Sequence, residues 1–175
     1  MNRERLISET LAAIPQGSIG IYDLLPIYKD AALFEEIVAY LAHPYAGKID
    51  AVASPEAIGW ILGAAVARKL NVGFVPLRKG GKLPYSNENL LSYTYTDAKH
   101  SGRTYEMKND SILANERVLL VDEWVEDGAT LKSCIGLLNQ AKCTIAGLAT
   151  IGIDYNEGTK DWIDSGFIHY VGQNM

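Results

Sequence analysis

The chain has 175 residues, 48% of them hydrophobic and 21% charged, a composition that fits one globular domain over residues 1–175 with a real core. Its 16 Lys and Arg against 21 Asp and Glu leave a formal charge of −5, which argues against a nucleic-acid-binding surface. No apolar run reaches membrane-spanning length and Met1 to Thr10 carries alternating charges instead of a secretory leader, so the expected setting is cytoplasmic with no membrane contact.

Arg3 to Ala13 reads as a short amphipathic helix, followed by a turn at Pro15 to Gly17 and the segment Ile19 to Ile27. A second helix is predicted over Leu33 to Leu41, stopped near His43-Pro44. Strand Ile49 to Ala53, helix Pro55 to Leu70 and strand Val72 to Pro76 then begin an α/β alternation. Ser54-Pro55 supplies the turn, with Pro55 in the first helical turn and Glu56 favourable against the helix dipole. Residues 78–90 are basic, Gly-rich and irregular. Leu91 to Tyr95 and Thr104 to Met107 alternate like the arms of a β-ribbon, and the polar excursion Thr96 to Gly102 between them has the character of a working loop. Val118 to Val121 reads as a strand buried on both faces, then a helix over 129–140 shows an apolar face of Leu131, Cys134, Ile135 and Leu138, and a strand follows over 144–151. The fold class is α/β, a mainly parallel twisted sheet with helices on both sides. Cys134 and Cys143 have no Cys or His at metal-ligand spacing and read as reduced, buried thiols.

The chemistry concentrates after Val121. Asp122 and Glu123 emerge together at the carboxyl end of a buried strand, where open α/β sheets hold ligands. The backbone N–H groups around Gly128 to Leu131 open a helix and are receptive to an anion. An acid pair beside an anion-receptive helix start suits a phosphorylated sugar.

This order of strand, acid pair, small-residue loop and helix resembles the phosphoribosyl-pyrophosphate (PRPP) motif of type I phosphoribosyltransferases. Upstream, Gly73 to Pro84 contains Arg78-Lys79-Gly80-Gly81-Lys82-Leu83-Pro84, which resembles the Arg-Lys-x-Gly-Lys-Leu-Pro segment of adenine phosphoribosyltransferases. Asp23-Leu24-Leu25-Pro26, Lys29-Asp30 and Leu33-Phe34 resemble that subfamily's amino-terminal region, and Gly59 to Leu70 its helix after the pyrophosphate loop. The resemblance covers most of residues 14–150. It implies a small hood from the chain ends, a flexible β-ribbon loop, a homodimer, and transfer of the phosphoribosyl group of PRPP to a nitrogenous base, a purine favoured, with release of pyrophosphate.

Carried onto this sequence, the resemblance makes Asp122 and Glu123 the ribose-binding acids, since ionised carboxylates accept from vicinal hydroxyls. Glu126, Asp127, Gly128, Ala129 and Thr130 would wrap the 5-phosphate. Ser54, Pro55 and Glu56 with Arg78, Lys79 and Lys82 would meet the pyrophosphate, and Lys99, Arg103 and Asp97 on the mobile loop would be catalytic, with Lys99, His100 and Arg103 approaching the leaving group. Mg²⁺ would arrive with PRPP, without a dedicated protein cage, Asp122 and Glu123 being the carboxylates able to touch it. Tyr22, Trp124, Trp162 and Phe167 are aromatics that either stack on a planar base or simply pack.

Four departures bear on activity. Glu123 stands where the family usually has Asp, and Ile58 where adenine-type members carry Arg before the helix glycine. The loop Glu suited to proton transfer has only Thr96 and Asp97 as counterparts. Asp127 stands where the family commonly has Thr or another uncharged residue, and Glu126 adds a second negative charge next to it. Two like unit charges about 4 Å apart cost roughly 4 kcal/mol at an effective dielectric near 20, so orientation decides. Asp127 either caps the helix, accepting from the N–H groups near Ala129 or Thr130, or points outward and leaves those donors to a phosphate. A non-catalytic nucleotide- or PRPP-binding regulatory protein on the same fold is therefore the alternative to an enzyme.

Overall fold

The computed structural model describes residues 3–14, 22–97 and 102–174, the side chains of Arg3 and Asn174 excepted. In chain order it contains α1 (Arg3–Ala13), α2 (Leu25–Lys29), α3 (Ala31–Ala42), β1 (Ala51–Pro55), α4 (Gly59–Leu70), β2 (Gly73–Lys79) and β3 (Leu90–Tyr95). There follow β4 (Arg103–Lys108), β5 (Arg117–Val125), α5 (Ala129–Gln140), β6 (Thr144–Asp154), α6 (Lys160–Asp164) and β7 (Ile168–Asn174). The strands form one sheet in the order β3-β4-β2-β1-β5-β6-β7. Pairing is parallel from β2 through β1, β5 and β6 to β7, and antiparallel where the ribbon β3–β4 joins β2. The expected mainly parallel architecture is what the chain adopts.

β5 shows why the sheet is covered twice. Val118 to Val121 are fully buried, with Leu119 and Val121 packing among α1, α3 and α4 and Val118 and Leu120 among the apolar residues of α5. Successive strand side chains point to opposite faces, so four consecutive apolar residues require helices on both sides. Local signals set the helix ends. The Asp30 carboxylate accepts from Ala32 and Leu33 N–H at 3.1 and 3.0 Å to start α3, and Asn71, left-handed at φ 57, ends α4.

Two boundaries differ from the sequence reading in ways that matter. α4 begins at Gly59, not Pro55, because β1 continues through Pro55 in register with Leu77 and the Glu56 N–H donates to the Leu77 carbonyl at 3.0 Å. Residues 55–58 are thus strand end and loop. β5 runs on to Val125, so Asp122 and Glu123 lie within the strand. β1 pairs with β5 only as far as Leu120, whereas β6 pairs with it through Val125. A crevice opens where β1 leaves off. The chain winds from β1 to β2 in one direction and from β5 to β7 in the other, making this the switch point at which such sheets bind ligands. α6 and β7 lie beyond the elements read from the sequence.

Candidate functional site

A cleft of ≈ 840 Å³ occupies this switch point. Four segments converge on it: Pro55 and Glu56 after β1, Lys79 to Gly81 after β2, Gly102 to Glu106 at the base of the ribbon, and residues from Asp122 to Leu131.

The acid pair forms its floor. Asp122 is 6% exposed, and its Oδ1 accepts the Glu123 N–H at 3.0 Å. Both carboxylates approach the start of α4, where a methyl group on Gly59 would lie 2.7 Å from Asp122 Oδ1 and 3.2 Å from Glu123 Oε2. Only glycine leaves that space. Burial, reinforced by a hydrogen bond to Glu123 and its charge, pushes the Asp122 carboxyl well above the ordinary carboxylate range. Close by, the Tyr28 hydroxyl on α2 is buried without a hydrogen-bond partner among the described residues, and burial with the charges of Glu123 and Asp122 raises its pKa. It is an orphan donor beside two acceptors, which the sequence reading did not single out.

Ser54 does not face the cleft. Its hydroxyl donates to the Val121 carbonyl at 2.6 Å and its own carbonyl accepts from Trp60 Nε1 at 3.0 Å, so it ties β1 to the strand carrying the acids. Of the cations expected at the pyrophosphate, only Lys79 lines the cleft. Arg78 Nε and Lys82 Nζ instead meet the Glu56 carboxylate at 3.1 and 2.9 Å, and Arg78 also lies over the Trp60 ring. Burial raises the Glu56 pKa, but the Lys82 ammonium, the Lys79 N–H and Arg78 outweigh it and hold the carboxyl below its usual value. Glu56 thus competes with a pyrophosphate for its own cations. Ile58, at the position before Gly59, offers no side-chain hydrogen bond and is half exposed. Glu56→Gln is expected to tighten pyrophosphate binding by roughly three- to tenfold, because it frees two cations. Product-inhibition titration measures this, and weaker inhibition would show that Glu56 presents those cations to the ligand.

The loop from Glu126 to Thr130 resolves the orientation left open by the sequence. Asp127 Oδ1 accepts the Ala129 N–H at 2.9 Å, with Gly128 in the left-handed region at φ 78 directly before α5. The carboxylate therefore faces into the loop and takes one of the backbone donors expected for a phosphate. Ala129 itself is buried and contributes through its backbone. The N–H groups of Thr130 and Leu131 precede the first bond of the helix, from Lys132 N–H to the Gly128 carbonyl, and so have no intrahelical partner. Behind the loop stands a brace absent from the sequence reading. Asn156 Nδ2 donates to the Glu126 carbonyl at 2.6 Å, Gly158 packs against the Asp127 carbonyl, and Trp162 covers Gly128. The turn-forming run Asn156-Glu157-Gly158-Thr159 is the signal that could have marked it.

The ribbon leans on α5. Ser133 Oγ donates to the Arg103 carbonyl at 2.6 Å, Tyr93 fills the space left by Gly136, and Arg103 Nη1 donates to Thr130 Oγ1 at 2.7 Å. Asp97 does not line the cleft and accepts from the Tyr95 hydroxyl at 3.1 Å; Lys99 and His100 fall outside the described residues. Of the four aromatics, Tyr22 and Trp124 stack with centroids 3.7 Å apart, both donating to Asp154 Oδ1, and Trp124 lines the cleft. Trp162 braces the loop and Phe167 packs with the core on the α5 side.

Comparison with known proteins agrees with this geometry. Residues 22–169 match the family described as phosphoribosyl transferase domain. The chain is 41% identical to the adenine phosphoribosyltransferase of Maricaulis maris over 85% of its length and 82% of that protein's. The crystal structure of adenine phosphoribosyltransferase from Thermoanaerobacter pseudethanolicus superposes with a TM-score of 0.83 at 30% identity, covering 96% of this chain and 99% of that one. The Giardia lamblia enzyme complexed with 9-deazaadenine superposes with a TM-score of 0.82 at 25% identity, covering 97% and 98%. With the acid pair, the anion-receptive loop and the switch-point cleft all in place, the chain belongs to the phosphoribosyltransferase family.

Proposed function

We propose that the protein transfers the phosphoribosyl group of PRPP to adenine, forming AMP and pyrophosphate. The observation that carries this reading is the convergence of Asp122 and Glu123, the loop from Glu126 to Thr130, and Lys79 with Gly80 and Gly81 on one cleft. The acids accept from the ribose hydroxyls and fix the ring, the base lies beside Trp124 where that residue lines the cleft, and the loop holds the 5-phosphate end. A base nitrogen then bonds to the ribose anomeric carbon as the bond to pyrophosphate breaks, and the base loses its proton. No protein nucleophile is needed. Catalysis rests on placing the two reactants in line and on stabilising the charge that develops on the leaving group.

The donor set suits Mg²⁺ brought in by the diphosphate. Asp122 and Glu123 offer two convergent carboxylates, and no group of three or more His, Cys, Asp or Glu able to hold a metal occurs among the described residues. When bound, Mg²⁺ neutralises diphosphate charge. No helix among the described residues is long and apolar enough to cross a membrane. Cys134 and Cys143 are free thiols, and only Cys134 is buried, Cys143 being partly exposed.

The direct test incubates the protein with PRPP, Mg²⁺ and adenine, hypoxanthine or guanine, and follows pyrophosphate and nucleotide. AMP from adenine is expected, and a folded protein that releases no pyrophosphate with any base would sink the proposal. The capping role of Asp127 and the closed Tyr22–Trp124 stack favour a second reading, a nucleotide-binding regulator without turnover. Calorimetry showing tight AMP binding by a protein with no turnover would select it.

A further inference from the structure

The loop expected to hold the 5-phosphate carries Glu126 and Asp127, and Asp127 already occupies the Ala129 N–H. A phosphate dianion in that loop needs a cation beside it. We infer that Arg103 is such a cation: it binds the 5-phosphate end of the substrate from its place on Thr130, and it does not serve the departing pyrophosphate. The inference rests on the phosphoribosyltransferase reading above.

Packing fixes where Arg103 can act. Its backbone closes the ribbon opposite Tyr95, and its carbonyl is tied to α5 by Ser133 Oγ at 2.6 Å. Two residues along the partner strand, Tyr93 sits in the notch left by Gly136 on the same helix, where any side chain would collide with the ring. From this anchored position the guanidinium reaches back to the first turn of α5 and donates to Thr130 Oγ1 at 2.7 Å. Thr130 is its hydrogen-bond partner among the described residues, so most of its five N–H donors remain for a ligand. Arg103, Thr130, Asp127 and Gly128 all line the same cleft. A planar guanidinium with several spare donors suits a phosphate, which it can grip through two oxygens.

A second cation flanks the loop. Lys132 Nζ lies over the rings of Tyr95 and Trp162 at 5.8 and 5.9 Å, and Trp162 is the ring that covers Gly128. A lysine in the first turn of a helix runs against the helix dipole, and its presence is consistent with excess negative charge at that end. The diphosphate side of the cleft has its own cation in Lys79.

The test compares binding of AMP, adenosine and Mg²⁺-pyrophosphate by calorimetry to the wild type and to Arg103→Gln, Arg103→Lys and Arg103→Gln/Asp127→Asn. Thermal melts confirm that each variant is folded. Arg103→Gln is expected to weaken AMP by about 10- to 100-fold and to leave adenosine and pyrophosphate within about twofold of the wild type. Arg103→Lys should fall between, having charge without the fork. Adding Asp127→Asn, which keeps an oxygen for the Ala129 N–H and removes the charge, should recover about tenfold in AMP affinity. Pyrophosphate weakened as much as AMP, or no recovery in the double variant, overturns the inference. Wild-type protein that binds adenosine and pyrophosphate but gains nothing from the 5-phosphate of AMP overturns it while leaving the ribose and diphosphate sites standing. Wild-type protein that binds none of the three overturns the phosphoribosyltransferase reading and this inference together.

Discussion

Asp122→Asn is expected to raise the melting temperature and to lower kcat/KM at least about 100-fold. The two effects share one cause. Asp122 is almost fully buried against Glu123, so its ionised form lacks water and faces a like charge, which raises its carboxyl pKa. A group whose folded pKa lies above its unfolded value contributes stability that is fully present below the unfolded pKa and lost as pH rises through the folded one. Above that folded pKa the ionised pair weakens the fold, and an amide of the same shape removes the buried charge and its repulsion from Glu123. For a chain of this length each kcal/mol relieved adds roughly 2–4 °C to Tm. A ribose hydroxyl, in contrast, bonds more strongly to a carboxylate than to an amide oxygen, hydrogen bonds to charged groups being worth about 1.5–3 kcal/mol each. Melting curves across pH should show wild-type stability declining as pH rises through the Asp122 transition and a flatter profile for the variant. PRPP binding by the wild type should weaken at pH below that transition, where the acid holds its proton. A less stable Asp122→Asn protein that keeps its activity would contradict both halves.

Gly158→Ala is expected to damage the loop from Glu126 to Thr130 without touching any ligand. A methyl group there would overlap the Asp127 carbonyl oxygen and lie 3.1 Å from the Asp127 carbonyl carbon and 3.2 Å from Asn156 Oδ1. The obstacle is mostly backbone and cannot rotate aside, so the loop must move. Overpacking of this kind typically costs about 1–3 kcal/mol in stability. Displacing donors by even about 1 Å can cost up to 100-fold in rate, so KM for PRPP should rise at least about tenfold while KM for adenine stays near the wild-type value. Gly73→Ala is the control, since nothing lies within 4 Å of the added methyl. Equal effects at both glycines would show that residues 154–162 do not position the loop.

Much of the fold was legible because it rests on local pattern. Four apolar residues from Val118 to Val121 demanded helices on both faces, and the structure buries all four completely. Alternation in Leu91 to Tyr95 and Thr104 to Met107 announced the ribbon, which forms in register from Leu90–Lys108 to Tyr95–Arg103. That the acid pair lies at the crevice was legible, but its place within a strand was not. Two polar residues look like a strand end, and only pairing with β6 shows that the strand continues. Charges were the least legible. Arg78 and Lys82 each lie more than 20 positions from Glu56, and their ion pairs with it arise only when β1 and β2 lie side by side. The same holds for Arg103, whose target on α5 is set by Ser133 and Gly136. The brace behind the loop from Glu126 to Thr130 contains turn residues without apolar periodicity, so it carried no packing signal.

The chain has three tryptophans, of which Trp124 lines the cleft and the other two pack behind segments that adjoin it. Trp60 bonds to the Ser54 carbonyl and lies under Arg78, Trp124 stacks with Tyr22, and Trp162 covers Gly128. Intrinsic fluorescence is therefore divided by position. Proteins retaining a single indole would give separate optical signals for the Ser54–Arg78 corner, the Tyr22–Trp124 stack and the loop from Glu126 to Thr130, so the order in which those three places respond to a ligand could be timed without any attached dye.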